Sequence, residues 1–68
     1  MTWSSDTIRS FRSHLGLNQS EFGDLLGYGK GAQQRASELE RGIQQASGPL
    51  VPLLDCLAEK HEFRSAES

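Results

Sequence analysis

The sequence has one cysteine, Cys56, so it can form no intrachain disulfide, and no Cys/His cluster stands at zinc-ligand spacing. No metal or cofactor is expected, and a reducing cytoplasm fits this cysteine usage. No apolar run approaches the ~20 residues that cross a bilayer, so no membrane contact is expected. The opening MTWSSD lacks the basic and apolar regions of a secretory leader. There are no internal repeats and no segments of strand period. No Ser/His/Asp, Cys/His or paired-carboxylate arrangement is present, which argues against an enzyme. His14 and His61 stand alone and read as surface residues.

The chain also lacks an excess of positive charge: seven Lys and Arg face nine Asp and Glu, for a net charge of −2. The distribution is uneven. Arg9, Arg12, Lys30, Arg35 and Arg41 outnumber Glu21, Asp24, Glu38 and Glu40 in the centre, and the acid gathers toward the C-terminus. A nucleic-acid partner requires a basic face rather than a basic total, although so few cations imply modest non-specific affinity per subunit.

What is present reads as helices. The apolar fraction of 35% and charged fraction of 24% suit one soluble globular domain of 68 residues. A chain this short buries only about 60% of its unfolded surface, so an economical bundle is expected, completed by a partner subunit if need be. Ser4 or Ser5 caps a first helix with Asp6 in its first turn, and Ile8, Phe11 and Leu15 form its apolar stripe. Gly16 ends it. Trp3 is expected to fold back over it as a lid. Asn18 and Glu21 form a capping box that starts a second helix at Gln19, with Phe22, Leu25 and Leu26 buried. Gly23 inside this helix costs about 1 kcal/mol relative to alanine, which suggests a close helix crossing.

Gly27-Tyr28-Gly29-Lys30-Gly31 ends the second helix. It is neither a phosphate loop nor a dinucleotide fingerprint, because no strand precedes it and the spacing is wrong. A third helix runs from about Ala32 to Arg41, with Ala36 and Leu39 inward and Gly42 closing it. Gln33, Gln34, Arg35, Ser37, Glu38 and Arg41 are left outward. Ser47 is expected to cap a fourth helix with Gly48 and Pro49 in its first turn and Pro52 still near its start. Leu50, Leu53, Leu54 and Leu57 then repeat at helical spacing, and Val51, Cys56 and Ala58 widen the apolar face. That width suggests a subunit interface through Leu50, Val51, Leu54 and Leu57, with Cys56 buried. Residues 1–60 read as the domain and 61–68 as a polar C-terminal tail that frays.

Glutamine can bond adenine N6 and N7 together, and arginine does the same with guanine O6 and N7. Gln33, Gln34 and Arg35 at a helix start therefore suit base reading, and composition alone leaves a merely solvated face equally open. Glu38 can accept from cytosine N4, repel phosphate, or pair with Arg35 or Arg41. Lys30, on its glycine-rich loop, is placed to reach a phosphate or to act as a solubilising charge.

Leu15-Gly16-Leu17-Asn18-Gln19, Glu21-Phe22, Leu25-Leu26-Gly27 and Leu39-Glu40-Arg41-Gly42, in this order, resemble the helix-turn-helix domain of lambdoid phage repressors and Cro proteins, the Cro/cI-type (XRE) regulators. The likeness spans roughly Ile8 to Leu57. It implies an all-α, four- to five-helix bundle of the lambda-repressor-like kind, whose third helix lies in the major groove. It further implies that Gln19 contacts a phosphate, that Gln33, Gln34 and Glu38 face bases, and that Arg41 lies near the DNA backbone. Arg12 and Glu40 match a structural ion pair of that family. The connection before the third helix is longer than the family's tight turn, and Lys30 has no counterpart there.

The expected function is sequence-specific DNA binding and transcription regulation, as a repressor acting as a homodimer on a palindromic operator. Such a protein would be cytoplasmic and nucleoid-associated, encoded by a bacterium or phage. The alternative is a protein-binding antitoxin or adaptor module that uses the fourth helix for its partner.

Overall fold

A computed structural model describes residues 3–64. Among them are four helices and no strand: α1 (Ser5–Leu15), α2 (Gln19–Leu25), α3 (Ala32–Glu40) and α4 (Leu50–Lys60). The chain is a small all-α bundle, as its periodicity predicts. No helix among the described residues is long and apolar enough to cross a membrane.

Local chemistry explains where the first helices begin. The Ser4 hydroxyl accepts from the Thr7 amide at 3.2 Å, and Asp6 lies in the positive first turn of α1. At α2 the reciprocal box is complete: Glu21 N donates to Asn18 Oδ1 at 2.8 Å, and Asn18 N donates to Glu21 Oε1 at 3.0 Å. The first four N–H groups of a helix have no partner inside it, so each such bond removes a desolvation cost.

All four helices end on one kind of turn. A left-handed residue follows the helix, its amide bonds back three residues, and the next amide bonds back five. The left-handed residues are Gly16, Gly27, Gly42 and Glu62, with φ of 69°, 89°, 77° and 55°. The residues that follow them are Leu17, Tyr28, Ile43 and Phe63. Leu17 and Tyr28 pack against the core and Phe63 is part of it.

That core is built on α1. Ile8 and Phe11 of α1, Phe22 of α2, Ala36 of α3 and Leu54 of α4 are all fully or nearly fully buried. The Phe11 ring lies 4.9, 5.4 and 6.0 Å from those of Phe63, Trp3 and Phe22, within the range of favourable aromatic pairing. Trp3 closes over α1 as expected, and its indole N–H donates to Asp55 Oδ1 of α4 at 2.7 Å. The indole thus buries its rings while keeping a partner for its one polar atom.

Several expectations need correction. α4 starts at Leu50 with Pro49 as its cap residue and no side-chain cap. Ser47 cannot fill that role, because Gly48 turns left-handed between them (φ 58°). Leu25 is 38% exposed, because Phe22 and Leu26 already occupy the inner face of this short helix. Cys56 is exposed rather than buried. Leu54 lies wholly inside the core and cannot belong to a subunit interface. The core also extends past residue 60: Phe63 is 8% exposed, held by the turn at Glu62, whereas residues 65–68 of the expected tail lie outside the described residues.

Candidate nucleic-acid interface

The α2 and α3 helices are packed at backbone distance. A methyl group added at Gly23 would stand 2.3 Å from the Ala32 carbonyl oxygen, so only hydrogen is tolerated there. The glycine inside α2 is therefore the price of this crossing, and it fixes where α3 begins. Between them, Gly27, Gly29 and Gly31 all take left-handed conformations. Gly31 leads directly into α3 and offers no side-chain cap, so the α3 start is set by the connection rather than by a capping residue.

The far end of α3 is fastened to α1 by charge. Arg12 Nε donates to Glu40 Oε2 at 2.8 Å, and its Nη1 donates to the Leu17 carbonyl at 3.0 Å. The expected Arg12–Glu40 pair is thus formed, with the Glu40 residue only 3% exposed. Arg9 adds a bond not read from the sequence: its Nη2 donates to the Glu40 backbone carbonyl at 2.9 Å. A cation at a helix C-terminus satisfies a free carbonyl and opposes the negative end of the dipole. Since α3 contributes only Ala32, Ala36 and Leu39 to the apolar interior, these polar fastenings carry much of its orientation.

This leaves one side of α3 facing solvent. Gln33, Gln34 and Arg41 are exposed and Ser37 is half-exposed. With Gln19 and Glu38 they border a shallow concavity of about 540 Å³. Gln19 and Gln33 also meet across a second depression, of about 420 Å³, beside Arg12, Asn18 and Ser20. Lys30 is exposed on the connection and lines neither.

Two predicted residues are placed differently. Successive helical residues turn by about 100°, so Arg35 points away from Gln34 and toward α4. It lines a groove of about 370 Å³ with Tyr28, Leu39, Leu50 and Leu53, and its Nη1 lies 3.7 Å from Glu38 Oε1. Glu38 is half-buried, not outward. It forms a wall shared by this groove and the concavity, with Oε1 shielded and unmatched by a hydrogen bond. Of the expected interface residues on α4, Leu50, Val51 and Leu57 are half-buried against the core; Leu53, which is not among them, is 36% exposed. Sequence reasoning missed Ile43, which is 58% exposed and borders the same concavity as Gln34 and Arg41. Gly42-Ile43 was the available signal, since a hydrophobe commonly follows the left-handed residue of this turn. No family model, curated protein or solved structure matches the chain.

Proposed function

We propose that this chain is a sequence-specific DNA-binding regulator of transcription, a repressor that places α3 in the major groove of a palindromic operator as a homodimer. One observation carries the reading. Gln33, Gln34 and Arg41 stand free on the solvent side of a helix fixed at both ends, by Gly23 against Ala32 and by Arg12 and Arg9 against Glu40. A rigid element of that shape suits groove recognition, because little ordering entropy is lost on binding. Its glutamines have the donor and acceptor pair that adenine requires. Arg41 and Lys30 supply cations for phosphates at its two ends, and Gln19 offers an amide to the backbone of the same strand region. The ordered likeness to Cro/cI-type regulators points the same way, with the glycine-rich connection as the main departure.

The single subunit has few cations, so a homodimer on two half-sites one helical turn apart gives the affinity one copy lacks. Leu53, with the half-buried Leu50, Val51 and Leu57, supplies the apolar surface for pairing. Such a repressor works in the cytoplasm of a bacterium, on its own genome or that of a phage. The reading of α4 as the docking face of an antitoxin or adaptor rests on the same Leu50, Val51, Leu53 and Leu57, and leaves the exposed Gln33, Gln34 and Arg41 without a use.

Fluorescence anisotropy with random-sequence and selected duplexes over a salt series tests the proposal. Binding that weakens steeply with salt, and favours a selected duplex by ~10³-fold or more, is the expected result. No binding at low salt refutes it.

A further inference from the structure

We propose that Ile43 is a base-contacting residue that selects a thymine through its methyl group; this rests on the reading that α3 enters the major groove of DNA. The four helix-ending turns supply the argument. In each, the residue after the left-handed position is hydrophobic, and such residues ordinarily fold back on the last helical turn. Leu17 and Tyr28 pack against the core and Phe63 is part of it. Ile43 does neither: it is 58% exposed, the most exposed large hydrophobic among the described residues.

The amide of each turn residue reaches the carbonyl five residues back, of Arg12, Gly23, Glu38 or Ala58, so the backbone seats all four alike. Leu17, Tyr28 and Phe63 reach the core from that seat, whereas Ile43 is left in solvent. The turn would close equally well with a polar residue in this place, since only backbone groups make its bonds. An isoleucine there is not explained by the fold.

Its position gives it a use. Ile43 borders the concavity shared by Gln34, Ser37 and Arg41. Its amide is fixed to the Glu38 carbonyl at 3.0 Å, and the Gln44 amide bonds the same oxygen at 3.2 Å. A β-branched side chain on so restrained a backbone has few rotamers left to lose. The interface is otherwise polar, and the one apolar group on a base edge in the major groove is the C5-methyl of thymine. Contact with it removes apolar surface of both partners from water, whereas cytosine in the same place brings an amino group and no methyl.

The test uses the whole chain and the duplex it selects from a random pool. Each thymine is replaced in turn by deoxyuridine, which removes the methyl and leaves every hydrogen-bonding group. The wild type is expected to lose about fourfold in affinity at one thymine per half-site, the factor that burial of one methyl group gives. Ile43→Ala, a change at an exposed side chain, is expected to bind the thymine and uracil duplexes equally at that position. An unaltered thymine preference in Ile43→Ala, or no uracil-sensitive position in the wild type, overturns the inference and leaves the DNA-binding reading standing. Absence of any selected duplex refutes that reading, and this inference with it.

Discussion

Replacing Gly23 with alanine sets two known effects against each other. Alanine in a helix interior is favoured over glycine by about 1 kcal/mol, so propensity alone predicts a gain. The structure predicts a loss. The new methyl would lie 2.3 Å from the Ala32 carbonyl oxygen, 2.6 Å from its carbon and 2.7 Å from the Ala32 methyl. None of these atoms is the end of a flexible side chain. To restore ordinary contact, the start of α3 must retreat by about 1 Å. Overpacking of this kind costs about 1–3 kcal/mol, and a backbone neighbour places it at the upper end. Subtracting the propensity gain leaves a net loss of about 2 kcal/mol. A domain of this length holds only about 3–10 kcal/mol in total. The melting temperature should then fall by roughly 8–16 °C. Thermal melts followed by helical circular dichroism give the number, and urea titration followed by Trp3 fluorescence gives an independent one. Ser20→Ala, at an exposed position on the same helix, serves as the control and should stay within about 0.5 kcal/mol of wild type. A Gly23→Ala protein that melts at or above wild type would show that α2 and α3 do not cross at this distance.

Arg12→Ala strips the buried Glu40 carboxylate of its 2.8 Å partner and should cost about 3 kcal/mol in urea unfolding, while the joint change Arg12→Met with Glu40→Met should recover most of it. Glu62→Gly relieves a left-handed non-glycine residue (φ 55°) and should raise stability by about 0.5–1 kcal/mol in the same assay. Gln34→Ala should reduce the preference for a selected duplex over a random one by roughly tenfold, with the salt dependence unchanged. Lys30→Ala should do the reverse, flattening the logarithmic salt slope by about one unit without altering which sequence is preferred.

The features readable in the sequence are those set by neighbours along the chain. The Asn18–Glu21 box, the Gly16 stop and the Ile8–Phe11 stripe need only a few adjacent residues, and each is formed. Gly23 was legible because a glycine inside a helix demands a reason. What failed depended on direction. Ser47 resembles a cap until Gly48 turns the wrong way. Phe63 looked like part of a fraying tail because Glu62, a residue that rarely adopts a left-handed conformation, gives no sign of the turn that returns it to the core. At the candidate interface, residue types were legible and their bearings were not. Gln34 and Arg35 are neighbours in sequence, yet they lie on opposite flanks of α3, one at the concavity and one at the groove beside α4. Only a known helix start and axis separates them.

The way α3 is held also bears on how such a protein can change. Its anchoring falls to Ala32, Ala36, Leu39 and Glu40, while Gln33, Gln34 and Arg41 touch little but water. Substitutions at the second set are nearly silent in stability, since exposed positions away from caps and networks shift it by no more than about 0.5 kcal/mol. A combinatorial library randomised at these positions would therefore consist mostly of folded members, and a lineage could drift through many surface chemistries on α3 without passing through an unfolded ancestor.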